Sequence, residues 1–475
     1  MSGLDNAAHH IGAAFRVGGR HGTMADRVAL DKAWSACRDG LLNMITALEV
    51  TGYRLLEHFE ADFGQLTVVI GANASGKSTL LDCLQLIAGA AEVPLETVLG
   101  WHGGFLNILS ASGSVDKLSW KLTFRKPKSH PVWGAVPAPD RPFVYEVTIA
   151  RDAAGQPVPV HEVLRNAEAH PGYEETFKLL EATPTRSSIY DRRKKKLVPF
   201  DQALPSPAVT PTSDESAGTS PALPVPQAAP QPVSLRLAQM RFLNEYPDPS
   251  WIRLLLSSAA FYPGFDVGRF SSLRMKPADI KVGTLLEMTG ENLGTVLHEL
   301  LTRYEYRASA DALHDFMRSA YPDFFEQITA ETAYGTAGKV LVRLREQGMQ
   351  RAMELWDLSD GTLRFLCLAA ALLNPVPMAF VGLDEPEAGL HPRLLPIVAD
   401  MIKSASEKTQ VLVTTHSPDL LNCFGLDDIA VIARQGSKVV WHRPRTRETL
   451  RELLQPVTGE TLGDLHRSGE LEALA

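Results

Sequence analysis

Apolar and polar positions alternate through "ITALEV" (45–50), and the short apolar run "LTVVI" (66–70) ends on Gly71. Both patterns predict strands. From Ser78 to Ala88 the apolar positions take helical spacing, which predicts a buried helix stopped by Gly89. "KLSWKLTFRK" (117–126) and "FVYEVTIARDAAGQPVPVHEV" (143–163) read as strands, the second as a hairpin turning at Ala153–Gln156. Another strand pair flanks "DRRKKK" (191–196). "NLGTVLHELLTRY" (292–304) and "ADALHDFMRSAYPDFFEQI" (310–328) are amphipathic helices, and "AGKVLVRLREQ" (337–347) returns to strand. From Leu355 the order is helix, strand, helix, strand, with strands at "PMAFVGLDEP" (377–386) and "QVLVTTHS" (410–417). That alternation predicts an α/β core with a parallel sheet.

Composition sharpens the boundaries. The chain has 475 residues, 45% hydrophobic and 21% charged, enough apolar material for a large core and more than one domain. Residues 1–43 are rich in glycine and histidine and lack periodicity, so they are expected to be a weakly structured extension ahead of a domain starting at Met44. Residues 203–233, nearly all Pro, Ala, Ser and other small or polar types, cannot bury enough surface to offset ordering entropy and read as a disordered linker. A net charge of -8 excludes a globally basic nucleic-acid coat but leaves room for a local patch. No apolar run reaches the roughly 20 residues of a membrane span, and no signal peptide is apparent. The scattered cysteines (37, 83, 367, 423) suit a reducing, cytoplasmic location, with Cys83 and Cys367 filling core positions.

The chemistry concentrates at a few places. "GANASGKST" (71–79) matches G-x-x-x-x-G-K-[ST] between a predicted strand and a predicted helix. Glycines let backbone N–H groups turn inward around phosphate oxygens, and the helix N-terminus adds positive potential. Gly71, Asn73, Ala74, Ser75 and Gly76 would form the cradle, with Lys77 reaching the β- and γ-phosphates of ATP. Ser78 would ligate Mg²⁺ and Thr79 would touch the α-phosphate. An exposed Lys77 makes Lys77→Ala expected to abolish nucleotide binding without harming the fold.

An apolar strand then delivers Asp384 and Glu385, a pair suited to holding the Mg²⁺ shell and to polarising the attacking water as general base. Some two dozen residues earlier a Ser359-Asp360-Gly361 turn begins an apolar helix. It is a sufficient N-cap and also an anion-binding helix start. His416 follows a strand ending in two threonines and reads as a γ-phosphate sensor.

These motifs in this order resemble the ABC-type ATPase heads of the RecF/SMC/double-strand-break-repair group, and more closely the AAA_21-type ATPases related to the OLD nucleases. The run 358–395 carries most of the likeness; "TQVLVTTHSPDLLN" (409–422), "MTGENLGTVLHELL" (288–301) and "TLGDLHRSGEL" (461–471) add to it. The resemblance implies a P-loop NTPase with a mixed or parallel sheet core and an inserted α+β lobe. Residues 44–110 and 351–475 would form the core and residues 111–350 the lobe. It also implies that Arg54 approaches the nucleotide, that Gly389–Pro392 is a dimer-contacting loop, and that the Ser359–Gly361 turn closes on the nucleotide of a second subunit. No glutamine stands out as the Q-loop residue. Long coiled-coil arms are missing, and the roughly sixty residues after His416 are too few for a nuclease domain.

The expected function is ATP hydrolysis by an ATP-sandwiched homodimer, in DNA repair or phage defence. The alternative is a nucleotide-driven switch that controls an effector protein encoded nearby, a nuclease or toxin, without touching DNA. "DRRKKK" bears on that choice: the basic run could grip phosphate or be a solvated turn.

Overall fold

The computed structural model describes residues 45–110, 115–125, 142–169, 175–203, 233–240, 245–275, 278–279, 285–332, 338–376, 378–444 and 461–473. The expected N-terminal extension and nearly all of the expected linker lie outside them.

The centre is a six-stranded sheet. β3 (Leu66–Ile70) lies between β16 (Gln410–Thr414) and β17 (Ile429–Gln435); β15 (Phe380–Asp384) and β10 (Ala260–Tyr262) follow on the β16 side. All these neighbours pair in parallel, and β18 (Lys438–His442) closes the other edge antiparallel to β17. β3 and β16 are buried at every position, as expected of central parallel strands covered on both faces. Val69 and Leu412 face one apolar core; Val68, Ile70, Val411 and Val413 face the other.

The helix after the glycine turn, α1 (Lys77–Ala90), packs into the first core through Leu80, Leu84 and Ile87. The helix after Ser359, α5 (Asp360–Leu372), packs into the second through Phe365, Leu366 and Ala369, beside α6 (Leu395–Ser406). The two candidate phosphate-facing helix starts therefore belong to elements on opposite faces of one sheet. This is an α/β P-loop NTPase fold.

Above the first core lies an eight-stranded antiparallel sheet in sequential order except for its first pair: β2 (Leu56–Asp62), β1 (Ile45–Tyr53), β4 (Leu118–Phe124), β5 (Phe143–Arg151), β6 (Pro157–Ala169), β7 (Thr176–Ala182), β8 (Ser187–Asp191) and β9 (Lys196–Pro199). Its alternation of buried and part-exposed residues, clearest in β4, is the mark of a sheet with one covered face. The expected β5–β6 hairpin and the strands flanking 191–196 are present. A small sheet on the opposite side joins β11 (Ala278–Asp279), β13 (Lys339–Glu346), β12 (Phe325–Thr332) and β14 (Met353–Glu354). It is packed by α3 (Leu293–Thr302) and α4 (Arg307–Ala320); α2 (Pro247–Ser257) returns to the first core.

Two helix ends differ from the sequence reading. α1 runs through Gly89 to Ala90, because Gly89 serves packing rather than termination: a Cβ there would sit 2.6 Å from Val98 Cγ2. α4 stops at Ala320, before Tyr321-Pro322, since the residue ahead of a proline is pushed out of helical conformation. "FEQI" instead begins β12. Among the described residues no helix is long and apolar enough to cross a membrane. Cys83 and Cys367 are buried, as their helical positions implied.

Candidate nucleotide site at the carboxyl ends of the parallel strands

The order of the sheet assembles the site. Val69 pairs with Thr414, and Thr414 pairs with Asp384, so β3, β16 and β15 end in register. Their outgoing turns carry the glycine loop, the Thr415-His416 step and the acidic pair. Ligands of open α/β sheets bind at this carboxyl edge.

The glycine loop is shaped by its own chain. A Cβ on Gly71 would lie 2.1 Å from the Ile432 carbonyl oxygen, so no other residue fits. Ala74 adopts a left-handed φ of 61°, and Gly76, at φ 114°, precedes the first turn of α1. Ala72, Asn73 and Ala74 are exposed. Ser75 is buried, and its Oγ has no protein hydrogen-bond partner. Lys77 departs from expectation: it is not exposed but 4% accessible, donating from Nζ to the carbonyls of Gly71 (2.7 Å) and Ala72 (3.0 Å). The ammonium stands in the loop it was expected to serve, with its charge met by two carbonyl dipoles.

Ser78 Oγ and Asp384 Oδ1 are 3.3 Å apart, bringing together the two residues proposed for Mg²⁺. Hydroxyl and carboxylate are the hard oxygen donors that Mg²⁺ takes. Among the described residues no group of three or more His, Cys, Asp or Glu could hold a metal. A cation here would complete its shell from water and phosphate, as Mg²⁺ commonly does in nucleotide sites.

Glu385 sits at φ 46°, a left-handed backbone that is uncommon outside glycine. The conformation is held by its N–H donating to the Thr414 carbonyl (3.1 Å) and to Thr414 Oγ1 (3.2 Å), while the Thr414 hydroxyl also bonds Asp384. The Glu385 carboxylate lies 3.5 Å from His416 Nε2. Burial, and then the nearby Lys77 charge, hold His416 below the ordinary imidazole range, outweighing the pull of Glu385. That shift favours the neutral imidazole, which holds one N–H donor and one acceptor nitrogen.

Three further groups were not singled out in the sequence. Thr414 is one, although the paired threonines were its signal. Glu387 is another: its Oε1 accepts from Thr415 Oγ1 (2.6 Å) and the His416 N–H (3.0 Å). The third is Arg274, nearly buried, which pairs with Asp360 and donates to the Val267 and Leu358 carbonyls (2.8 and 2.7 Å). No local pattern announces Arg274, because the Leu358 and Asp360 partners that tie it to the start of α5 are more than eighty residues away.

The remaining expected residues fall in two places. Thr79 lies in the first turn of α1, beside Ser78. Arg54, at a left-handed turn (φ 45°), binds the side chain of α1 one turn further on: its Nη1 is 2.9 Å from Asp82 Oδ2. Tyr53 donates to the same carboxylate (2.5 Å), and His102 Nδ1 is 2.8 Å from its other oxygen. Burial opposes this charge, but the His102 and Tyr53 hydrogen bonds and the His102 and Arg54 charges hold the Asp82 carboxyl below the usual range.

Ser359 caps α5, accepting from the Thr362 N–H (3.1 Å). Gly361 has ordinary room: a Cβ would be 3.5 Å from the Gly389 carbonyl oxygen. In the basic turn, Arg192 is spent on the buried Asp248 (2.7 Å), while Arg193, Lys194 and Lys195 are exposed.

Two family models match parts of the chain. Residues 271–422 match the AAA_21 family model, described as "AAA domain, putative AbiEii toxin, Type IV TA system". Residues 44–121 match AAA_15, described as "AAA ATPase domain". No curated protein matches the chain. Among solved structures it is similar to an SMC head bound to the C-terminal winged-helix domain of ScpA (14% identity, TM-score 0.49, 85% of this chain and 99% of that one). It is also similar to an Smc head with an extended coiled coil bound to the C-terminal domain of ScpA, from Pyrococcus furiosus (14%, 0.46, 86% and 99%). A third is the SMC head domain of Thermotoga maritima (12%, 0.39, 84% and 98%).

Proposed function

We propose that this chain, an ATPase of the AAA_21 type in the RecF/SMC-like group, hydrolyses ATP to ADP and phosphate between two copies of itself. The observation that carries the reading is the joining of Ser78, Asp384, Thr414, Glu385 and His416 at the ends of three adjacent strands, next to a buried Lys77. Ser75, with its buried unpartnered hydroxyl, and the loop N–H groups offer donors to phosphate. Lys77 supplies a positive charge that can exchange carbonyl oxygens for phosphate oxygens. Ser78 and Asp384 would hold Mg²⁺, which when bound neutralises charge on the phosphates. Glu385 takes the proton of the attacking water, and neutral His416 fixes the direction of that carboxylate. Arg54, Asn73 and Thr79 complete the contacts to the nucleotide.

The second copy enters because α1 and α5 occupy opposite faces of the sheet. In a two-fold pair each Ser359–Gly361 turn meets the phosphate held by the other chain, an isologous closure. We assign the output to DNA, in repair or phage defence, with Arg193, Lys194 and Lys195 as the contact. The toxin–antitoxin wording of the AAA_21 description favours, as a second reading, the control of an effector protein.

Phosphate release tests the reaction itself. Glu385→Gln should lower turnover by about 10²- to 10⁴-fold, the worth of a general base, with ATP affinity retained. Turnover equal to wild type would remove Glu385 from the mechanism.

A further inference from the structure

The acidic turn contains a carboxylate that the mechanism above does not use. Glu387 is mostly buried and lies on the turn that follows the catalytic pair. One oxygen accepts from the Thr415 hydroxyl and the His416 N–H; the other is buried without a partner. The turn itself is tight: Ala388 N–H donates to the Glu385 carbonyl (2.9 Å) and Leu390 N–H to that of Glu387 (3.0 Å). Its far side meets α5. Arg364 donates from Nη1 to the Ala388 carbonyl (3.0 Å), and its guanidinium lies so close over Gly389 that a Cβ there would sit 3.0 Å from Nε. Gly389 is also left-handed, at φ 74°. A Cβ on Gly361 would meet the neighbouring Gly389 carbonyl oxygen at 3.5 Å, an ordinary contact.

We propose that Glu387 is a positioning residue that fixes the backbone of His416 and, through the turn 385–390 and Arg364, ties the γ-phosphate side of one nucleotide site to the Ser359–Gly361 turn of the same chain. The proposal rests on the nucleotide-site reading above. Its physical content is a continuous bridge. His416 and Thr415 at the end of β16 are hydrogen-bonded to Glu387, and the turn carrying Glu387 is clamped to the first turns of α5. In a two-chain sandwich the ends of that bridge face different nucleotides, so a shift of His416 on phosphate release is felt at the turn that grips the partner's ATP. The Thr415 and His416 bonds to Glu387 are part-buried and the Arg364 bond lies at the surface, so displacement passes through the short hydrogen-bonded turn that joins them.

Hydrogen exchange and steady-state kinetics on the full chain test this together. Glu387→Ala should raise amide exchange at His416 and, in the same protein, across residues 360–365. It should lower kcat about tenfold or more while leaving ATP affinity within about twofold, the pattern of misplaced catalytic geometry rather than lost binding. Glu387→Gln keeps an oxygen acceptor for both donors and should restore exchange and kcat toward wild type. Arg364→Ala cuts the other end, and should reproduce the faster exchange at 360–365 and the kcat loss while His416 stays protected. Wild-type kcat in Glu387→Ala, or faster exchange at His416 with residues 360–365 unchanged, overturns the bridge. A wild-type protein that does not hydrolyse ATP would overturn the reaction reading instead, and the exchange pattern would still judge the bridge.

Discussion

The glycine loop and the Ser359–Gly361 turn are both helix starts suited to phosphate, yet the chain treats them differently. At the loop, its own packing dictates the residues: Gly71 abuts the Ile432 carbonyl, Ser75 is buried, and Lys77 is folded onto two carbonyls. At the turn, Ser359 is satisfied by its own cap and Gly361 has space for a methyl group. Nothing in the described chain demands a glycine at 361. The loop is finished within one chain; at the turn the chain leaves room at position 361 that its own packing does not use. Under the proposed two-copy site, that room is where the partner's phosphate would approach.

The contrast can be broken by substitution. Gly71→Ala forces a methyl group into backbone 2.1 Å away and should cost about 4 kcal/mol or more, at the severe end for single substitutions, seen as loss of soluble folded protein or a large fall in Tm. Lys77→Ala should abolish ATP binding by calorimetry. Because the Gly71 carbonyl loses the ammonium and the Ala72 carbonyl is left with the Ser75 N–H (3.2 Å), it should also cost about 1–3 kcal/mol in stability. An unchanged Tm would restore the view that Lys77 matters only to the nucleotide. Gly361→Ala, in the first turn of α5, should shift stability by no more than about 0.5 kcal/mol and could even stabilise the helix. Its cost should appear only in hydrolysis. A strongly destabilised Gly361→Ala would mean that the chain itself needs this glycine.

Much of the core was legible before the fold was known. The cradle, the acidic pair and the switch strand are local patterns, and each marks a strand followed by a turn. What stayed hidden depends on contacts distant in sequence. Lys77 reads as exposed because a P-loop lysine serves phosphate; only the folded loop shows its carbonyl partners. Gly89 reads as a helix stop, but Val98 approaches its α-carbon and makes it a packing residue. β10 is three residues long, and its role as an edge of the central sheet comes from pairing with β15, more than a hundred residues later. Arg274 and Arg54 have no periodic signature, and their partners are fixed only when loops meet. Glu387 was in plain sight beside Glu385, but its function lies in which backbone it faces.

The central claim is that ATP is held between two copies, and assembly tests it most directly. Glu385→Gln with ATP and Mg²⁺ should bind nucleotide without turning it over and accumulate as a compact dimer by light scattering. Wild type without nucleotide should be more monomeric or a looser dimer. Adding Ser359→Arg should return the protein to that state while ATP affinity per chain is kept. A double mutant that stays as compactly dimeric as Glu385→Gln would contradict the shared site.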